Sequence, residues 1–283
     1  MKNVAALVVL AVTVVGCHVN VVDGGGKDAE VTGETGQALR CAPDDLFTSA
    51  IAVCGDFSSA GDVDIEGDLS VGGELSHAGE FNVDGALRLG DAPCGRRGLA
   101  VSAAVHIAKN DHDDHSVSMI DGSMVLGDGR SYFGDASFIG KTDIHVNGHA
   151  SMFVDGDVDA VGDGTIFVEP GASLDLYISG SLSTAGSFVA AGCDPSSFRI
   201  FVGGRGSIIA GAGETELRGF LYAPDAEVQL AGDARITGAV VAREISFAGE
   251  MHVKGVPSRP RPAEACGRVT ASPSVTSGSA GPT

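Results

Sequence analysis

The chain has 283 residues and a formal charge of -19, with 37 acidic side chains against 18 basic ones. That excess of carboxylates excludes a basic groove for DNA or RNA phosphates and repels an anionic membrane surface. Trp is absent and glycine reaches 42 residues, which speaks against a helical bundle and for many tight corners.

At the N-terminus Lys2 precedes an apolar stretch from Val4 to Val15, broken only by Thr13. This is the charged-then-apolar order of a secretory signal, and it falls short of the roughly 20 apolar residues that a membrane span needs. Val14-Val15-Gly16-Cys17 then resembles the lipobox of bacterial lipoproteins. The resemblance implies that residues 1–16 are removed and that Cys17 carries a diacylglycerol and a further acyl chain. Several acyl chains anchor stably where one gives only marginal binding. In lipoproteins an Asp after the cysteine favours the inner membrane; His18 stands there, so the resemblance implies the outer membrane of a bacterial envelope.

Residues 17–40 are rich in Gly, Asp, Glu and Thr, the composition of a flexible tether whose ends sit about 25 Å apart as a random coil. Pro, Ser, Gly and Thr dominate residues 256–283, which read as a disordered tail. The folded domain is therefore expected over 41–255. With Cys17 reserved for lipid, Cys41, Cys54, Cys94, Cys193 and Cys266 remain. In an oxidising compartment some of them pair, and Cys41 with Cys54 closes a short loop worth up to about 3 kcal/mol. Five is odd, so one thiol stays free or bridges two chains. No two cysteines have the Cys-x-x-Cys spacing that zinc sites favour.

Within the domain, glycine recurs every sixth residue at Gly61, Gly67, Gly73, Gly79 and Gly85. Apolar residues follow at the third and fifth places of nearly every hexad: Val63 and Ile65, Leu69 and Val71, Phe81 and Val83, Leu87 and Leu89, with His77 the one exception. Six is even, so the alternation of strand side chains keeps all of these on one face. A short strand with an inward pair and a glycine corner is the unit of a solenoid. Three hexads to a coil would stack Val63 under Phe81 and Ile65 under Val83, about 4.8 Å apart. The pattern returns less strictly around Gly148, Gly156, Gly180, Gly232, Gly238 and Gly249. The fold class expected is all-β, a single-stranded parallel β-helix. An antiparallel meander or sandwich is the alternative, since Gly72-Gly73 and Asp121-Gly122 also suit hairpin turns.

Leu174 to Gly255 resembles an uncharacterised β-helical domain of bacterial surface and pilus-associated proteins. The residues that carry this are Tyr222-Ala223-Pro224, Gly238-Ala239-Val240-Val241-Ala242, Leu176 to Gly180, Asp194-Pro195 and His252. Where that family follows the His with Tyr and Asp, this chain has Val253 and Lys254. The resemblance implies a surface-exposed solenoid, tied to pilus or envelope structure, with no known catalysis. The hexads of the N-terminal side are similar in repeat geometry to bactofilins, polymer-forming β-helical proteins.

Asn110-Asp111-His112-Asp113-Asp114-His115 holds carboxylates and imidazoles of the kind that ligate a divalent ion, but without a specifying spacing. A solvated acidic loop explains the same residues. Asp62, Asp84, Asp155 and Asp157 fall at turns and suit turn geometry; together they offer at most weak calcium binding, and no other cofactor is implied. Glycoside chemistry needs two carboxylates facing one sugar bond. Gly148-His149-Ala150 is the nearest approach to a motif of pectin-degrading enzymes, and no Gly-x-Ser-x-Gly elbow exists. The function expected is therefore a lipid-anchored structural or adhesive solenoid without catalysis, the alternative being a polysaccharide lyase or glycosidase. Its partners would be the membrane, through the lipid, and envelope or pilus proteins. Self-association through open β edges is a further expectation.

Overall fold

Strands whose inward residues recur at an even spacing share one apolar face, and this chain buries that face by coiling in parallel. The computed structural model describes residues 47–90, 116–192, 194–204 and 206–256; statements about structure concern these residues. The first strands are β1 (Ile51–Val53), β2 (Phe57–Glu66), β3 (Leu69–Val71), β4 (Leu75–Ala78), β5 (Phe81–Asp84) and β6 (Leu87–Leu89). Then follow β7 (Val117–Leu126), β8 (Gly129–Phe133), β9 (Ala136–Val146), β10 (His149–Val154) and β11 (Val158–Val168). The series ends with β12 (Ser173–Ile178), β13 (Leu182–Gly192), β14 (Phe198–Val202) and the long, winding β15 (Ile208–Gly255).

Neighbouring strands pair in parallel throughout, from β7 against β9 to β2 against β5, which excludes the antiparallel sandwich. Gly72-Gly73 is a corner between β3 and β4, and Asp121-Gly122 lies inside β7; neither is a hairpin. Val63 pairs with Phe81 and Ile65 with Val83, the register that three hexads per coil require. The core column is apolar: Phe57, Val63, Ile65, Leu69, Leu174, Ile178 and Met251 are almost fully buried.

The order of coils along the axis differs from their order in the chain. β7, β9, β11 and β13 stack in sequence up to β15, whose last stretch pairs not with later residues but with β2. Ile245 lies against Phe57, Met251 against Val63 and Val253 against Ile65. The hexads thus form the coils beyond the C-terminal one. A single column of corners records this order: Asp121, Gly140, Gly162, Gly186, Gly213, Gly232, Gly249, Gly61 and Gly79. At about 4.8 Å per step the stack is roughly 40 Å tall. Gly90 ends the described part of one extreme coil and Ser116 begins the other, and residues 91–115, outside the described residues, connect them.

Aspartate at the corners has a mechanical role. Asp62 Oδ1 accepts the Glu80 N–H, Asp68 the Ala86 N–H and Asp157 the Ser181 N–H, at 3.1, 2.9 and 2.7 Å. Each carboxylate satisfies a donor on the next coil, where the turning main chain has no carbonyl to offer. At Asp68 this main-chain hydrogen bond, opposed in part by desolvation and aided by Arg88 at 3.0 Å, holds the carboxyl below its ordinary value. A lowered folded-state pKa stabilises above the unfolded value and is lost as pH falls through the folded one. Acidification below the ordinary aspartate range should therefore loosen the extreme coil first. In amide exchange across a pH series, Ala86 should lose protection before Glu216; equal loss at both positions would contradict this assignment.

Candidate functional site: the flanks of the solenoid

Two outer faces are built from the residues that alternate with the core. On the face formed by β8, β10, β12, β14 and the middle of β15, the outward column is Tyr132, Phe153, Tyr177, Phe201 and Tyr222. The rings of Tyr132, Phe153, Tyr177 and Phe201 stack with centroids 4.8 to 5.1 Å apart, and Tyr222 meets Phe201 at a steeper angle. Phe153, Tyr177, Phe201 and Tyr222 are buried although they point away from the core, and Phe47 lies over Phe220 with centroids 4.7 Å apart. Desolvation, reinforced by the Asp175 carboxylate, raises the Tyr177 hydroxyl well above its ordinary pKa. Arg199 holds Asp175 through two hydrogen bonds of 2.6 and 2.8 Å beside these rings. This face forms a second layer of packing. Sequence reasoning missed it, although Met152-Phe153-Val154, Leu176-Tyr177-Ile178 and Ile200-Phe201-Val202 are the continuous apolar runs of strands buried on both sides.

The second face, formed by β7, β9, β11, β13, β15 and β2, is open. Immediately before the corner column it carries an apolar row: Ile120, Ile139 and Val161 are 67%, 44% and 52% exposed. In the later coils the row continues through Ala185, Ala212, Ala231, Ala248 and Ala60, all exposed. Just past the corner runs a charged row with Glu214, Asp233, Glu250, Asp62 and Glu80. Side chains of the adjoining rows meet carboxylates of this face: Arg235 meets Glu214 and His252 Nε2 lies against Glu250, both at 2.9 Å, and Lys254 meets Glu66 at 3.3 Å. All are exposed, so each pair adds little stability. What the face offers is regularity, one side chain of a given kind at each strand spacing.

Of the residues singled out from sequence, Cys17, Cys41, Asp111, His112, Asp113, Asp114 and His115 lie outside the described residues. Cys54 is disulfide-bonded to a partner also outside them. His149 is exposed; its main-chain N–H donates to Asp128 Oδ1 at 2.7 Å and its Nδ1 lies 3.0 Å from Ser173 Oγ. Among the described residues no three His, Cys, Asp or Glu side chains converge as a metal site would require. Two internal cavities, of about 60 and 30 Å³, sit inside the coils; Ile209, Leu217, Val228 and Met251 line the larger. Both fall far short of the roughly 300 Å³ or more of an ordinary ligand pocket.

Among solved structures the chain is similar to three ice-binding proteins, each at 14% identity. One is from an Antarctic Biological Consortium, with a TM-score of 0.44 over 75% of this chain and 88% of that one. A second, from the Antarctic ascomycete Antarctomyces psychrotrophicus, has a TM-score of 0.41 over 75% and 95%. A third, from an Antarctic bacterium of the Flavobacteriaceae, has a TM-score of 0.40 over 77% of this chain and 48% of that one. A search of curated proteins finds no match. The family model described as Domain of unknown function (DUF7305) matches residues 90–257, from the end of the hexad coils through β15, and the chain belongs to that family.

Proposed function

We propose that the chain is a structural or adhesive element of the bacterial cell envelope. It is held to the outer membrane by lipid on Cys17, and its solenoid presents the open face to other envelope or pilus-associated proteins. The observation that carries this reading is the open face itself. It is an exposed, repeating surface with an apolar row beside a charged one, running from β7 to β2 along a rod about 40 Å tall. A surface of that kind suits an extended partner. The main-chain N–H of His149 and its Nδ1 are held by Asp128 and Ser173, neighbours in its own wall.

The experiment is to express the full chain and Cys17→Ala in a bacterial host, label both with a fatty-acid probe and fractionate the membranes. Label and membrane association that depend on Cys17 are expected. Release of an unlabelled parent chain would remove the anchor. An Asp113→Ala, Asp114→Ala, His149→Ala triple variant is expected to leave the behaviour of the chain unchanged. Abolition by these changes of a glycan-degrading activity in the parent would establish the enzymatic alternative instead.

A further inference from the structure

A parallel solenoid has two ends, each with a row of main-chain donors and acceptors that invites another strand. Among the described residues, β4 and β5 at one end pair only with β2, and β6 only with β3. Leu87 and Leu89, which continue the inward columns there, are 47% and 58% exposed. At the other end, again among the described residues, β7 pairs only with β9 and β8 only with β10. If a second copy were laid head to tail on the first, the inward columns would run on: Leu75 towards Val117, Val83 towards Met124 and Leu89 towards Phe133. The apolar residues of the two ends therefore match. The net charge of -19 separates copies only over the short range that salt leaves unscreened.

At one corner β7 breaks the match. It has 10 residues where β9 has 11, and its ladder slips between Ile120 and Gly122. Asp121 sits at the slip with φ of 46°, the one non-glycine residue of positive φ among the described residues. Its Oδ1 accepts the Lys141 N–H at 2.8 Å, so the carboxylate replaces the acceptor that the missing residue would have offered to the coil above. Among the described residues no further strand lies beyond β7. At Gly162, Gly186 and the later corners of the column, a Cβ would overlap the carbonyl of the preceding corner, and only glycine fits. Asp121 stands at the corner where a further coil would have to stack, with its carboxylate turned back to the Lys141 N–H of β9.

We infer that β7 is a built terminator, whose one-residue deficit and bulge at Asp121 stop copies of the chain from stacking head to tail. Bulges and charged residues on edge strands are general devices against edge pairing, and a head-to-tail contact that does not close would otherwise grow into filaments. The inference narrows self-association through the ends and does not depend on the lipid anchor.

The test repairs the corner. In the full chain carrying Cys17→Ala, Asp121→Gly is combined with insertion of one glycine after it, which gives β7 the length of β9. Sedimentation at rising protein and salt concentration should show the parent as single particles and the repaired chain as rods that lengthen with concentration. Adding Leu89→Asp at the opposite end should return the rods to single particles. Three results would overturn the inference: a repaired chain that melts like the parent yet sediments as single particles, growth that survives Leu89→Asp, or a parent that itself forms chains in salt. The parent measurement needs no altered chain to fold and decides the matter alone if the repaired one does not.

Discussion

Replacing Gly213 with alanine should cost about 3–5 kcal/mol of stability although it adds a single methyl group. Gly213 has φ of 108°, outside the range that a residue with a Cβ adopts without strain. A Cβ built there would also overlap the main-chain carbonyl of Gly186, and that carbonyl has nowhere to go because it belongs to the next ladder of the same stack. Strain at one residue thus becomes separation of two coils in the middle of the rod. Gly127 is the control: its φ is not in that positive range, and the nearest atom to an added Cβ is Asn147 Oδ1 at 3.7 Å. Gly127→Ala should leave stability unchanged or raise it by up to about 1 kcal/mol through the unfolded chain. Urea unfolding of both variants decides the point, and equal midpoints would mean that the corners are not stacked closely.

The second large effect is expected at the junction between the first strands of the chain and the last. Phe57 is fully buried, pairs with Ile245 on one side and Leu75 on the other, and meets the edge of Phe81 with ring centroids 5.9 Å apart. Phe57→Ala removes those contacts and leaves a cavity, at a cost of about 3–5 kcal/mol. Where the loss is felt matters more than its size. Amide exchange should quicken at residues 245–254, which are remote in sequence but adjacent in space, and should change little at β7 beyond the global loss. If protection were lost at 116–126 instead, the hexad coils would be stacked on the wrong end. The same arrangement joins residues nearly two hundred positions apart, so folding is expected to be slow.

How far the fold could be read depended on how regular the corners are. In the hexads each corner aspartate reaches a donor 18 residues on, three repeats to a coil, and the register of Val63 with Phe81 follows from counting. Further along, the same link spans 22 residues from Asp135 to Asp157 and 24 from Asp157 to Ser181. There extra residues enter between strands, and the period is lost while the stacking persists. Asp62 and Asp157 read from the sequence as turn residues, but each carboxylate reaches across to the next coil, 18 and 24 residues on, a role that depends on the stacking. The open face was only partly legible: alternation places Ile139 and Val161 outward, but that they share a row with Ala60 follows from the stack.

What the sequence determined by itself was the winding. An even repeat puts alternate side chains on one face, glycine marks the corners where main chains touch, and both follow from the stereochemistry of single residues. Only the tertiary structure decided the order of the coils, the burial of the outward aromatic column and the slip of the end strand at Asp121. The physical reason is common to all three. A strand edge presents the same donors and acceptors whichever strand it meets, so the choice of neighbour lies in the fit of whole coils and not in the local pattern of any one of them.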